Sequence, residues 1–299
     1  MKLVVTGGAG FIGSHLVESL VSNKYDVTVV DNLSNLNFNN LQYIQDKIEF
    51  NNLDILNYDV LKKSLKNADC VFHHAALTSV QDSFTQQQKY VDVNVKGTEN
   101  IFKIAQEYGF KVIFASSAAI YGNVKQIPIN EESTTHPINP YGKTKLESEK
   151  LSEFYAKKGV PIIGLRYFNV YGPRQNKAYA GVITKFLEMI KHKKPLVIHG
   201  DGLQTRDFVF VGDVVEANLL AMKSNMNHAL INIGSGVATS INELADMIMQ
   251  LSAFKIDPIH DDALEGEIRF SQAEIGLAKK LLGWAPKTKL ENWIEKVIL

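Results

Sequence analysis

Residues 2–22 read KLVVTGGAGFIGSHLVESLVS, and this stretch decides the fold that we predict. Lys2–Thr6 is a short apolar run typical of a buried β-strand, and Phe11–Ser22 spaces its apolar residues as an amphipathic helix does. The glycines between them fit G-x-x-G-x-x-G at 7, 10 and 13, and also G-x-G-x-x-G at 8, 10 and 13. Without side chains, such a loop turns tightly and brings a phosphate group to the N–H groups of the helix N-terminus. The stretch therefore predicts a strand–loop–helix unit that binds a pyrophosphate.

An acidic residue after the second predicted strand supports the same interpretation. Residues 26–30 are rich in valine and threonine, and Asp31 follows them, 18 residues after Gly13. A carboxylate at this place accepts hydrogen bonds from the adenosine ribose and repels a 2′-phosphate. We therefore predict a site for NAD rather than NADP. The alternative is an ordinary glycine turn with a solvated aspartate.

The first half of the chain alternates short apolar runs with stretches of helical length. Further strands are predicted at 48–51, 70–74, 111–116 and 161–166, and helices at 99–108 and 141–157. This alternation is typical of a doubly wound α/β fold, a Rossmann-type parallel sheet covered on both faces. After about residue 170 the rhythm loosens, with helices at 178–192, 212–223 and 240–252. We predict a dinucleotide-binding domain at 1–170 and a smaller substrate-binding lobe at 171–299, partly built back onto the first domain.

Composition narrows the class of protein. Thirty-two basic residues balance 32 acidic ones, so no nucleic-acid or anionic-membrane partner is indicated. Cys70 is the single cysteine, which excludes an intrachain disulfide and a cysteine-based zinc site and favours a reducing compartment. The first residues lack the apolar region of a signal peptide, and no run reaches the roughly 18 apolar residues of a membrane span. These features predict a cytoplasmic protein without a metal site.

Tyr141 and Lys145 lie four residues apart on one predicted helix, so they share a helix face. A free tyrosine titrates near about 10, and a neighbouring ammonium stabilises its phenolate and lowers its pKa. The pair therefore predicts a general base and acid that works near neutral pH. Ser117 follows a predicted strand at the sheet edge where ligands bind, and its hydroxyl can contact a substrate. Taken alone, such a pair is more often a surface contact on a helix.

Eight stretches together resemble one family. They are TGGAGFIGSHL at 6–16, DNLS at 31–34, HHAA at 73–76, NVKGT at 94–98, SSAAIYG at 116–122, PYGKTK at 140–145, RYFNVYGPRQ at 166–175 and GDGLQTRDFVFVGDV at 200–214. In this order they resemble the extended branch of the short-chain dehydrogenase/reductase superfamily, and specifically the UDP-hexose 4-epimerases.

The resemblance assigns roles to residues at the predicted sheet edge. It implies that Ser117, Tyr141 and Lys145 are catalytic, and that Asn94 supports the active-site lysine. Tyr141 and Lys145 are also implied to contact the NAD. The remaining residues implied to hold NAD are Gly7, Gly10, Phe11, Ile12, Gly13, Asp31, Asn32, Ser34, Asp54, Ile55, Ala75, Ala76 and Asn94.

The resemblance also implies a nucleotide-sugar site in the second lobe. Asn169 contacts the diphosphate, Arg206 neutralises it through charge-assisted hydrogen bonds, and Glu267 accepts the uridine ribose hydroxyls. Taken alone, Arg206 is a solvated residue or a partner of Asp207. The chain departs from the family pattern at Leu264, where we expect an arginine.

Ser271 is the expected gate for the sugar. A serine there leaves room for an N-acetyl group, which predicts activity on UDP-glucose, UDP-galactose and their N-acetylated forms. Two alternatives are that Phe270 or the loop 74–82 closes this space. Ser271 is also compatible with an N-cap whose capping box is completed by Glu274.

Ala118 and Ala119 favour epimerisation among the related reactions, because alanine moves no proton and elimination lacks its acid and base. The predicted enzyme is an NAD-dependent UDP-hexose 4-epimerase, an isomerase that works through a transient 4-keto sugar. A nucleotide-sugar decarboxylase, reductase or dehydratase and a non-catalytic NAD sensor remain alternatives. The resemblance also implies a homodimer that pairs helices near 85–108 and 141–157.

Overall fold

The computed structural model describes residues 1–34, 38–124, 126–175, 181–253 and 255–298. Its first part alternates strands and helices as the sequence predicts. The elements are β1 Lys2–Thr6, α1 Phe11–Ser22, β2 Asp26–Asp31, β3 Glu49–Asn52, α2 Tyr58–Ser64, β4 Cys70–His73, α3 Val80–Thr85, α4 Gln87–Tyr90, a π-helical turn Val91–Lys96, α5 Gly97–Tyr108, β5 Lys111–Ser117, α6 Pro140–Ala156 and β6 Ile162–Tyr167.

The later elements are shorter and more mixed. They are β7 Asn169–Tyr171, α7 Val182–Lys191, β8 Val197–His199, β9 Thr205–Phe210, α8 Val211–Lys223, β10 His228–Ile233, β11 Ala238–Ser240, α9 Ile241–Ser252, β12 Ile259–Asp261, α10 Gly276–Leu282 and α11 Leu290–Ile298. The three predicted helices near 178–192, 212–223 and 240–252 are confirmed as α7, α8 and α9. Within the described residues, no helix has the length and apolar character needed to cross a bilayer.

One parallel sheet of seven strands organises the molecule, in the order β10-β6-β5-β4-β1-β2-β3. The strand order reverses beside β1, which pairs with β2 on one side and β4 on the other. A crevice forms at such a reversal, outside the carboxyl ends of the strands. Thr6, Asp31, His73 and Ser117 end their strands at this edge.

The sequence pattern predicts that the strand series closes at 161–166, but β10 adds a seventh strand beside β6. Its residues 228–230 are exposed or only partly buried, whereas 231–233 are buried. An edge strand with this mixed pattern gives a weak periodic signal. Its burial in the sheet comes from residues far away in the chain.

Apolar layers cover both faces of the sheet. One contains α1 and α8, with Leu16, Val214 and Trp284 in its core, and the other contains α5 and α6, with Phe102 and Tyr155. A third cluster, around Phe186, Leu244 and Ile294, holds α7, α9 and α11 together. Two small sheets, β11-β9-β7 and β12-β8, complete the region beside the carboxyl edge.

Candidate active site

A cavity of about 890 Å³ lies at the carboxyl edge of the sheet. Residues 7–13 and 31–34 line one end, and Arg206 and Glu267 line the other, with Tyr141 also on the wall. The cavity therefore joins the glycine loop to the later small sheets. Its size is in the range of pockets that bind small molecules and cofactors.

The glycine loop approaches its own helix too closely for side chains. A Cβ on Gly13 would lie 2.2 Å from the Gly7 carbonyl oxygen, and Gly7 itself has φ +68°. Gly10 is the N-cap of α1 and supplies no side-chain cap, so first-turn N–H groups remain available at the cavity. This arrangement fits a pyrophosphate, because backbone N–H groups and the helix dipole both favour an anion.

Asp31 holds the loop through both of its carboxylate oxygens. Oδ2 accepts a hydrogen bond from Ala9 N at 3.0 Å, and Oδ1 accepts one from Leu33 N at 2.8 Å. Burial raises the pKa of this carboxyl group, although the two hydrogen bonds oppose the shift. Asn32 Nδ2 donates to Asp54 Oδ2 at 2.9 Å, and both residues line the cavity. The surroundings of Asp31 fit the adenosine end of a dinucleotide.

Most residues predicted for the cofactor come together on the cavity wall. They are Gly7, Gly10, Phe11, Ile12, Gly13, Asp31, Asn32, Ser34, Asp54, Ile55, Ala75, Ala76, Tyr141 and Lys145. Asn94 is the exception, because it is 1% exposed and lies behind the wall.

Asn94 makes other contacts than the expected one with Lys145. Its side chain accepts from Leu77 N at 2.8 Å and donates to Leu77 O at 3.0 Å and Thr144 Oγ1 at 3.0 Å. Lys145 Nζ instead donates to Ala115 O at 2.8 Å. Asn94 therefore fixes the loop at 75–77 and the residue next to Lys145, and it supports the lysine only indirectly.

Tyr141 and Lys145 are positioned by the start of α6. Asn139 caps the helix by accepting from Gly142 N at 2.8 Å, and Pro140 fits the first turn, where no N–H donor is required. Ser117 at the end of β5 hydrogen-bonds the Tyr141 hydroxyl. Lys145 Nζ lies 5.9 Å from the centre of the Tyr141 ring. The three side chains thus meet on one wall of the cavity.

The titration behaviour of this group differs from the sequence expectation. Burial raises the pKa of Tyr141, and the Ser117 hydrogen bond opposes this shift only in part. Burial also lowers the pKa of Lys145 to about 8, against the attraction of Glu149. The expected lowering of the tyrosine pKa by Lys145 is therefore wrong for these surroundings, because desolvation dominates.

Arg206 and Glu267 form an ion pair at the far end of the cavity. Arg206 Nη2 lies 2.6 Å from Glu267 Oε1, and Nη1 donates to the backbone oxygens of Thr205 and Ile268. Burial lowers the pKa of Arg206, and Glu267 opposes this shift. Asp207 is no partner of Arg206, since it accepts hydrogen bonds from residues 235, 236 and 273. Asn169 is exposed on the cavity wall.

Ser271 lies elsewhere than expected. It is 6% exposed, its N–H donates to Thr205 Oγ1 at 3.2 Å, and it is absent from the cavity wall. The capping-box alternative is wrong, because α10 begins at Gly276 and its N-cap is Ile275. Leu264 lines the cavity, as its place near Glu267 suggests.

Several cavity residues were not predicted from the sequence. They include His74, Tyr167, Phe168, Lys185, Phe186, His199 and Gln204. Gln204 is 4% exposed, and its Oε1 has no hydrogen-bond partner among the described residues. A buried acceptor without a protein partner is costly, so it requires a donor on a water molecule or on a ligand in the cavity. In the sequence, the one indication of a role for Gln204 is its position between the glycines at 200–202 and Arg206. No group of three metal-binding side chains occurs in the described ranges.

Known proteins resemble this chain over most of its length. The model of the NAD dependent epimerase/dehydratase family matches residues 3–234. The chain is similar to a UDP-glucose 4-epimerase of Thermotoga maritima solved with UDP-glucose, with 39% identity and a TM-score of 0.95. That similarity covers 100% of this chain and 97% of the other.

Two further structures share the fold over nearly their whole length. A UDP-N-acetylglucosamine 4-epimerase of Methanobrevibacter ruminantium in complex with UDP-N-acetylmuramic acid is 36% identical, with a TM-score of 0.93 and coverage of 99% and 96%. A UDP-glucuronic acid 4-epimerase of Bacillus cereus in complex with UDP-glucuronic acid and NAD is 34% identical, with a TM-score of 0.92 and coverage of 99% and 97%.

Proposed function

Because the chain belongs to the NAD-dependent epimerase/dehydratase family, we propose that it interconverts UDP-glucose and UDP-galactose by inverting C4 of the sugar. It is an isomerase of the UDP-sugar 4-epimerase type with NAD as its cofactor. One observation carries the proposal: Tyr141, Ser117 and Lys145 face the same cavity as the glycine loop and the Arg206–Glu267 pair. Such a cavity holds a dinucleotide at one end and a nucleotide at the other.

The residues divide the work of the reaction. Bound NAD would supply the hydride chemistry at C4 of the sugar. Tyr141 takes the proton of the C4 hydroxyl and later gives it back, and Ser117 hydrogen-bonds both Tyr141 and the sugar. Lys145 places its amino group 5.9 Å from the centre of the Tyr141 ring. The positive charge of a bound nicotinamide ring would lower the pKa of Tyr141, because charges are weakly screened in a buried site.

The sugar has to turn over between loss and return of the hydride, while the nucleotide stays in place. Asn169 and Arg206 are proposed to hold the diphosphate, and Glu267 the uridine ribose. Ala75 and Ala76, whose side chains are small, also line the cavity. This wall leaves room for the 4-keto sugar to rotate about the diphosphate.

We extend the proposal to the N-acetylated sugars on the basis of a similar enzyme that is named for one of them. Ser271, the proposed gate, lies behind the wall and does not itself border the cavity in this structure. The similar enzyme of Methanobrevibacter ruminantium acts on UDP-N-acetylglucosamine, which supports the wider substrate range.

The decisive experiment incubates the purified protein with UDP-glucose, UDP-galactose and their N-acetylated forms, without added NAD. Formation of 4-epimers from either member of a pair is the expected result, because NAD is regenerated in each cycle. Net consumption of added NADH without epimer formation would identify a reductase instead. No change in any sugar, with NAD still bound, would favour the sensor alternative.

Three further features belong to the proposal. We propose a homodimer that pairs α5 and α6 with their copies, a cytoplasmic location consistent with the buried thiol of Cys70, and two lobes divided near residue 170. Tyr108 and Phe154 supply exposed apolar surface on the two helices.

A further inference from the structure

A short segment beside the cavity makes side-chain contacts with both α7 and α1. Residues 172–175, which we call the strap, follow β7 and lead towards α7. Gln175 of the strap lines the cavity, as do Val182, Phe186 and Met189 on one face of α7. Thr184 Oγ1 donates to Gln175 Oε1 at 2.6 Å, so the strap is fixed to the first turns of α7.

The strap is also fastened to α1, the helix of the glycine loop. Arg174 Nη2 donates to Glu18 Oε2 at 2.6 Å and to Tyr43 Oη at 2.5 Å. The guanidinium lies 5.4 Å from the centre of the Tyr43 ring. Glu18 and Tyr43 both lie beside the guanidinium, so the three side chains form one cluster, in which Arg174 Nη1 has no hydrogen-bond partner among the described residues.

A second contact lies beside this cluster. His15 Nε2 is 3.0 Å from Pro173 O. Because a carbonyl oxygen only accepts, His15 must donate through Nε2. The His15 ring also meets Phe11 edge to face, at 6.1 Å between ring centres, and Phe11 is a cavity residue in the first turn of α1. The strap is therefore linked to the cofactor end of the cavity by side chains as well as by the chain.

The backbone of Arg174 adopts an unusual conformation beside these contacts. Its φ is +69°, a left-handed conformation that residues other than glycine rarely adopt. In this conformation the guanidinium of Arg174 reaches Glu18. The Arg174 side chain is 21% exposed. A charge-assisted hydrogen bond of this geometry is among the stronger polar contacts in proteins.

We infer that Arg174 is a positioning residue for nucleotide-sugar binding: by tying the strap to Glu18 and Tyr43, it sets α7 against α1. It need not touch either ligand. The inference rests on the proposed function only in that the cavity, which α7 lines, takes a uridine nucleotide. When the tie is broken, binding has to order α7 and the strap, and affinity falls by that amount.

The test measures binding of UDP by calorimetry to the purified protein carrying its NAD. Arg174→Ala and Glu18→Gln are each expected to weaken UDP binding about tenfold, the effect of one charge-assisted hydrogen bond. The double variant should be no weaker than either single one, because both remove the same tie. Arg174→Lys keeps the charge and the backbone strain and should recover part of the affinity. In turnover, KM should rise while kcat changes little.

Lys287→Ala is the matched control, since it breaks the exposed Lys287–Glu216 ion pair and should leave UDP affinity unchanged. If the Arg174 and Glu18 variants lower the melting temperature but bind UDP as the wild type does, the cluster is merely structural and the inference is overturned. Additive losses in the double variant would also overturn it. If the wild type itself binds no UDP, the proposed function fails instead.

Discussion

At the scale of single residues, Tyr141 carries the chemistry that we propose. Tyr141→Phe removes the hydroxyl and keeps the ring, so the cavity shape and the bound NAD should persist. The rate of epimerisation should fall at least about a hundredfold, as expected when a general acid–base is lost. Activity is measured with UDP-galactose, and NAD content is measured after denaturing the protein. Tyr108→Phe on α5 is a matched control that should be fully active. Near-full activity of the Tyr141 variant would refute its role.

Asp31 should determine the choice of dinucleotide. Its carboxylate repels a 2′-phosphate, so the protein should bind NAD more tightly than NADP. Asp31→Asn keeps an acceptor for one of the backbone N–H groups and removes the charge, and the preference should shrink by about tenfold. Competitive titration of the two dinucleotides gives the comparison. Tighter binding of NADP by the wild type would contradict the prediction.

The sequence was a good guide to which residues meet and a poor guide to their surroundings. The motif glycines, Asp31 and Tyr141 reach the cavity as expected, since strand ends and helix starts fix their places. The contacts of Asn94 and the buried position of Ser271 depend on neighbours from distant segments. The pKa of Tyr141 likewise depends on burial, which a local pattern does not contain.

At the scale of secondary-structure elements, a hydrogen-bonded chain joins β1, β4 and the π-helical turn. Thr98 Oγ1 donates to Asn94 O, so it accepts from His73 Nε2, and His73 Nδ1 then accepts from Thr6 Oγ1. Only neutral His73 makes both contacts. Burial accordingly lowers the pKa of His73 to about 3.

The hydrogen bonds of His73 predict that the stability of the protein depends on pH. The unfolded state binds a proton at His73 below about pH 6.5, whereas the folded state does so only near about 3. The contribution of His73 to the free energy of unfolding should therefore be greatest above pH 6.5. It should fall towards acid pH by at most about 1.4 kcal/mol per pH unit. His73→Gln should show a shallower fall between pH 6.5 and 4.5 in denaturant titrations. His192→Gln, at an exposed position, should keep the wild-type slope.

Element boundaries were predictable where capping chemistry marks them. Asn139 and Pro140 begin α6, and Ser240 with Glu243 forms the capping box of α9. The predicted helix at 178–192 begins at Val182 in the structure, after Gly181 as its N-cap, and the residues at 176–180 lie outside the described part. Gly181 supplies no side-chain cap, so no local signal marks this start.

At the scale of the whole molecule, residues before and after position 170 share one core. The cluster on the α1 side of the sheet contains Leu3 and Leu16 together with Val214, Ile231 and Trp284. A fragment of residues 1–170 would lose the later three and the strand that covers β6. We expect it to be insoluble or to lack a cooperative thermal transition, measured by circular dichroism. A fragment that unfolds cooperatively would show that the first domain is independent.

Assembly is the second prediction at this scale. The wild type should be a dimer by light scattering at micromolar concentration, because α5 and α6 leave Tyr108 38% and Phe154 51% exposed. Phe154→Glu places a charge on this face and should yield a monomer. Val237→Glu alters a residue that is 60% exposed in the other lobe and should leave the dimer intact. A monomeric wild type would contradict the proposed pairing.

The seventh strand, β10, comes late in the chain, and this has a consequence for folding during synthesis. Until β10 has left the ribosome, β6 is an open edge of the sheet in the nascent chain. The unpaired backbone groups of Ile162, Ile163 and Leu165 can then pair with other chains. At about 5–20 residues per second, translation of the intervening segment takes several seconds. During that interval, a trigger-factor-type chaperone that shields β6 should raise the soluble yield, and slowing translation between β6 and β10 should reduce it.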